Sequence, residues 1–404
     1  MKNTREMIIK SAFSFYTKPV FSNISLSMIA SKAGITKAAI YRHFASREDL
    51  DNAMYNCVYE DLYNILKNFS SGRADDGFSI VEDIIILLMT HREYVYYLIS
   101  TCNEIILDKF LLRFKGMGLS LFDDLFSADG TVKDMEAYKD AVYMACNILY
   151  FQIVRNKIID CMDIGDKYSE ITEYASKLNM FIKKGLGQDV SELTGFRLAS
   201  LDRMCMESIE GVPAVNKVFE SVASIVKEKG FQGVTVEAVA KGIGLAKSSI
   251  YSKFENKAQM IQSLIDREIE EMFVIMKQNI NNARNNAERA YIMMETELLF
   301  FMKKPELFTV GQWLQFQNTE RIVHDDCEHE RLFSTYFDGI KLYDVYPELG
   351  LPKEDFKIIA FWVLMMPVFL YMHTRKQNMT PEVVQGALKD IFFMMEKGFK
   401  RGEI

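Results

Sequence analysis

Thr36, Lys37, Ala39, Tyr41, Arg42 and His43 stand within the stretch "ITKAAIYRHF", residues 35–44, and Arg47 follows shortly after. Hydroxyl, ammonium, phenol, guanidinium and imidazole groups are donors that suit phosphate oxygens. Ala38 and Ala39 are small enough to let a helix approach base edges, and the Ala39 methyl suits contact with a thymine methyl. Arg47 opens the next helical pattern, where a basic side chain and free backbone N–H groups share a phosphate. A cousin of the stretch, "LAKSSIYSKF" at residues 245–254, aligns without a gap. It supplies Lys247, Ser248, Ser249, Tyr251 and Lys253, with Lys257 at the place of Arg47. These types point to holding a nucleic-acid backbone and reading its groove.

Charge agrees with that chemistry. Residues 26–47 hold four basic side chains, Lys32, Lys37, Arg42 and Arg47, and no acidic one. Residues 236–257 hold four lysines and two glutamates. The whole chain has a net charge of −7, so a basic surface has to be local. The bland reading of one such stretch is a solvated basic helix face. Its recurrence in register argues against that.

The elements that must position these residues repeat as well. At an offset of 210, Ala30, Gly34, Lys37, Ile40, Tyr41 and Phe44 match Ala240, Gly244, Lys247, Ile250, Tyr251 and Phe254. Ser25 and Thr36 read as N-caps of two short helices separated by Gly34, which is a helix-turn-helix. Thr235 and Gly244 repeat the arrangement. Ahead of the first copy, "REMIIKSAFSFYTK" places Met7, Ile8, Ala12 and Phe15 on one helix face. Long amphipathic patterns follow each copy, at about 47–67 and 258–277, and further helices are expected at about 135–160, 167–184, 354–375 and 381–397. Pro381 suits a first helical position behind Thr380, and Pro367 should kink its helix. "NMFIKKGL" (179–186) and "FFMMEKGF" (392–399) echo each other, each closing a helix at a Lys-Gly pair. The repeat unit is therefore roughly half the chain, with a less periodic connection at 187–215 expected to hold a short helix.

The chain has 404 residues, more than one core normally holds, and only seven prolines, which favours long helices. Six cysteines without a CxxC pair argue for free thiols in a reducing, cytoplasmic setting. Charges break the N-terminal apolar pattern, which is unlike a signal peptide. The apolar run at 358–372 is shorter than the ~20 residues of a bilayer span and reads as a core helix.

"ISLSMIASKAGITKAAIYRHFASREDL" resembles the DNA-binding segment of tetracycline-repressor-type (TetR family) regulators. "VTVEAVAKGIGLAKSSIYSKFENKAQM" is similar to it too, departing at Ala246, where Ser or Thr usually caps the helix. The resemblance implies a three-helix DNA-binding head and a larger helical domain that binds a small ligand and dimerises. Carried over by position, it implies DNA contacts at Thr36, Lys37, Tyr41, His43 and Arg47, and at Lys247, Ser248, Tyr251, Lys253 and Lys257. Family members carry one head per chain, whereas here two share one.

Weaker signals stand beside this one. Trp313, Gln315, Phe316 and Gln317 are ligand-pocket candidates, against a reading as ordinary core. His324, Cys327 and His329 have ligating side chains, but the acidic context reads better as a solvated segment than as a metal site. No nucleophile elbow, zincin, P-loop or dinucleotide motif stands in a supporting context, so neither an enzyme nor a cofactor is expected.

The expectation is an all-α chain of two TetR-like units. Heads are expected at 1–46 and 213–257, regulatory domains at 47–190 and 258–404, and a linker at 191–212. The function expected is a ligand-released repressor of double-stranded DNA, without membrane attachment, responding to a small apolar or amphipathic effector. A monomeric pseudo-dimer on an asymmetric or imperfectly palindromic operator is favoured over a homodimer. The alternative is a sensing or protein-binding module in which one or both heads have left DNA.

Overall fold

A computed structural model describes residues 2–16, 24–70, 78–101, 184–187, 189–229, 233–310 and 379–398, with single positions between 169 and 179 and between 363 and 374. The fold is all-α, with no strand among the described residues. Two compact units divide the chain, one built on residues 1–183 and one on residues 184–398.

In the first unit α1 (Lys2–Phe13), α2 (Leu26–Lys32) and α3 (Lys37–Tyr41) form the head. They are followed by α4 (Arg47–Ser70), α5 (Phe78–Thr90) and α6 (Arg92–Thr101). Ile8, Ile9, Ala12 and Phe13 of α1 are buried, while Met7 and Phe15 are half-buried. The inward face of α1 is thus turned slightly from the one the spacing suggests. Ile29, Ile40, Phe44, Leu50, Met54 and Val58 join the same core. An aromatic seam ties α1 to α6: Phe13 lies 5.0 Å from Tyr94 and 5.3 Å from Tyr97, and Tyr16 lies 5.1 Å from Tyr97, between ring centroids. Such contacts add to plain area burial. The Tyr97 hydroxyl donates to the Asp51 carbonyl (3.0 Å), so α6 also holds the start of α4.

In the second unit α8 (Lys217–Lys229), α9 (Val236–Gly242) and α10 (Lys247–Tyr251) form the second head. α7 (Gly195–Glu210) precedes it, and α11 (Lys257–Ile280), α12 (Asn286–Lys303) and α13 (Pro381–Lys397) follow. The connecting segment does hold a helix, α7, but that helix is no free tether. Leu198, Leu201, Cys205 and Ile209 are buried, and α7 packs on α11 and α12. α12 is buried nearly all round, several of its polar side chains included, and lies against α7, α11 and α13, as a central helix does. Thr380 takes the N-cap position of α13 with Pro381 behind it, although its hydroxyl caps no backbone N–H.

The glycines of the Lys-Gly echo both adopt positive φ, 72° at Gly185 and 76° at Gly398. Leu186 N–H donates to the Met395 carbonyl (2.7 Å) and Gly187 N–H to the Glu396 carbonyl (2.8 Å). Of the expected helices, that at 135–160 lies outside the described residues and that at 354–375 largely does; its described positions, Pro367 among them, are helical and buried. Most positions of 167–184 also lie outside the described residues.

Candidate nucleic-acid interface

Each head is built from local instructions. In the first, the Ser25 hydroxyl accepts from Met28 N–H and the Thr36 hydroxyl from Ala39 N–H, both at 3.2 Å. Each cap satisfies a donor that a helix start leaves orphaned. Between them Gly34 sits at φ 67°, and Ile35 N–H returns to the Ala30 carbonyl (2.9 Å), so the chain turns tightly. Ile40 and Phe44 are buried beneath α3 and pin it to the head's core. That leaves Thr36, Lys37, Tyr41 and Arg42 exposed, with Ala39 and His43 half-buried. Tyr41 is 49% exposed, high for a large aromatic, and stands among donors.

Arg47 is held differently. Its Nε lies 2.9 Å from an Asp51 carboxylate oxygen and its Nη1 donates to the Ile24 carbonyl. Its guanidinium braces the joint between α2 and α4. What faces outward at this step is the start of α4, where Ser46 Oγ accepts from Asp49 N–H (3.0 Å) and Asp49 in turn accepts from Ala45 N–H (2.9 Å). The sequence reading missed this box, though Ser46 followed by Asp49 is its signal.

The second head repeats the frame. Thr235 caps α9 through Ala238 N–H (3.1 Å), Gly244 turns at φ 70°, and Leu245 N–H returns to Ala240 (2.9 Å). Asn256 caps α11 through Gln259 N–H (2.9 Å), a signal also missed. Ile250 is buried, and Lys247, Ser248, Ser249, Tyr251 and Lys253 are exposed. Three features depart from the first head. Ala246 occupies the N-cap of α10 with no side-chain cap. The Lys247 ammonium is paired with the Glu237 carboxylate and lies 5.3 Å from the Tyr251 ring centre. Lys257 is half-buried, and burial holds its ammonium below the ordinary lysine range. Glu237 is an acid that the sequence reading counted but did not place.

Trp313, Gln315, Phe316 and Gln317 lie outside the described residues, as do His324, Cys327 and His329. No cluster of metal-ligating side chains occurs among the described residues, and no helix there is long and apolar enough to cross a membrane.

The family model for bacterial regulatory proteins of the tetR family matches the chain twice, at residues 8–54 and 223–264. The chain thus carries two TetR-type N-terminal helix-turn-helix domains, and the matches coincide with the two heads. An uncharacterized HTH-type transcriptional regulator of Mycobacterium tuberculosis is 25% identical over 24% of this chain and 42% of its own length. The nucleoid occlusion factor SlmA of Haemophilus ducreyi is 26% identical over 28% of this chain and 54% of its own. The HTH-type transcriptional regulator AcrR of Shigella flexneri is 27% identical over 21% and 40%. The chain spans about half the length of these curated relatives. A TetR family transcription regulator from Marinobacter aquaeolei VT8 aligns with 48% of this chain and 97% of its own, at 16% identity and a TM-score of 0.31, too low to bear on the fold.

Proposed function

We propose that this chain is a DNA-binding transcriptional regulator, a repressor released by a small effector. The observation that carries the reading is the pair of heads. Each buries its anchor isoleucine, Ile40 or Ile250, and leaves the donors of one short helix exposed. Side chains displayed this way suit a major groove, with phosphate contacts setting register. The candidate contacts are Thr36, Lys37, Ala39, Tyr41, Arg42 and His43 in the first head, and Lys247, Ser248, Ser249, Tyr251 and Lys253 in the second. Arg47 and Lys257 act at the rim through the helices they start.

The further proposal is a covalent pseudo-dimer that reads an asymmetric operator. It is supported by the unlike exposed faces, "TKAAIYRH" against "AKSSIYSK", and by the glycine-closed junction of residues 184–187 with the end of α13. A second reading has its own observation. The missing cap at Ala246 and the pairing of Lys247 with Glu237 favour a second head with little hold on DNA.

Retardation of genomic fragments across a salt series tests both. Affinity should fall steeply with salt, because released counterions drive binding. Absence of any preference over random sequence would sink the regulator reading. Loss with Arg42→Ala but not with Lys253→Ala would leave the second head structural. Footprinting then reports operator symmetry, and a stable particle of twice 46.7 kDa counts against the pseudo-dimer.

A further inference from the structure

Among the described residues of the second unit, buried carboxylates differ in how they are answered. Glu288 is paired with Arg197 (2.7 Å). Glu268 meets the Lys304 ammonium at 2.5 Å. One oxygen of Glu295 accepts from the Gln385 amide, while its Oε2 has no partner among the described residues. Glu297 is 5% exposed, yet its Oε2 has no hydrogen-bond partner among the described residues. An isolated carboxylate in such surroundings is costly unless it is protonated or meets a cation. Burial pushes the Glu297 carboxyl well above the ordinary range, which favours its protonated form while no cation is near.

The side of α12 that carries Glu297 is apolar. Met293 lies four positions before it and Phe300 three after, the spacing of one helix face, and both are fully buried. The same region also shows how this unit holds a cation. The Lys304 ammonium sits 2.5 Å from Glu268 and from Glu271 oxygens and 4.7 Å from the Phe300 ring centre. A carboxylate beside an aromatic face is a recognised setting for a positive charge.

We propose that the effector of the second unit carries a basic nitrogen on an apolar body, and that Glu297 is its counter-ion. The inference rests on the reading that this unit binds an effector. Binding is an exchange. The ammonium of the ligand takes up an ion pair with the Glu297 carboxylate, and the carboxyl proton passes to solvent.

Phenylbutylamine and phenylbutanol are matched probes, alike in shape and different in charge. Titration calorimetry on the full chain should show the amine binding more tightly than the alcohol. Glu297→Gln should weaken the amine about tenfold or more and leave the alcohol unchanged. Repeating the wild-type titration in buffers of different ionisation enthalpy should reveal proton release with the amine and none with the alcohol. That readout needs no variant, so it decides the matter even if Glu297→Gln fails to fold. Equal binding of the two probes, binding of neither, or an amine that releases no proton overturns the proposal. DNA retardation is measured in parallel. An amine-selective protein that ignores DNA keeps the Glu297 site and removes the regulator reading. A DNA-binding protein indifferent to the amine does the reverse.

Discussion

Glu237 stands where the first head has Ser27. It lies in the first turn of α9, where backbone N–H groups favour an anion, and it holds Lys247. A phosphate arriving at this head has to compete with that carboxylate for both. Glu237→Gln should therefore let the chain retain DNA at higher salt than the wild type, whereas Ser27→Gln should not. Unchanged retention in a filter-binding salt series would show that the second head makes no phosphate contact there. At this scale the caps were legible, because Ser25, Thr36 and Thr235 act on donors three positions away. The role of Arg47 was not. Its chemistry reads as phosphate-binding, but its partner Ile24 lies 23 positions back, and nothing local announces that the guanidinium turns to it.

Two glycines separate backbone geometry from packing. Gly34 and Gly185 share a left-handed backbone, at φ 67° and 72°. A side chain at Gly34 would meet nothing within 4 Å, whereas a Cβ at Gly185 would fall 2.3 Å from the Gly398 nitrogen. Gly34→Ala should cost about 1 kcal/mol, the left-handed penalty alone. Gly185→Ala should cost clearly more, since backbone cannot step aside cheaply. Thermal unfolding of the two variants tests the contrast, and equal losses would refute the close approach. The head helices, the long helices behind them and the stop at Lys397-Gly398 were readable from periodicity and breakers, whereas α5, α6 and α12 were not anticipated. The burial of α7 was not. Its apolar face is visible in sequence, but a pattern cannot say which core it joins.

Across the second unit, Asp202 of α7 takes a hydrogen bond from Tyr291 of α12 and an ion pair from Lys389 of α13 at 2.5 Å. Glu295 lies in the same network, facing Gln385, Asp202 and Lys389. Burial pushes its carboxyl up to about 7, with Asp202 adding to the rise and Gln385 and Lys389 opposing it. The folded chain thus keeps a proton that the unfolded chain surrenders at ordinary carboxylate pH. Stability from this group is complete below about pH 4.5 and is lost as pH rises toward about 7. Melting temperature should fall across that window, and Glu295→Gln should flatten part of the slope. A slope identical in the variant would remove Glu295 as its source. No such network is readable in advance, because its members lie 89, 90 and 187 positions apart and only the fold brings them together.

The hydrogen bonds from Leu186 and Gly187 to the end of α13 bear on how such a chain is divided. By sequence the first repeat runs through "KKGL", yet from residue 184 onward the backbone belongs to the second unit. The seam of the duplication and the seam of the fold are therefore offset. A gene cut beyond that repeat, anywhere past residue 187, would give a second fragment lacking the short clasp on the end of α13. A cut before residue 184 keeps the clasp with the helix it closes.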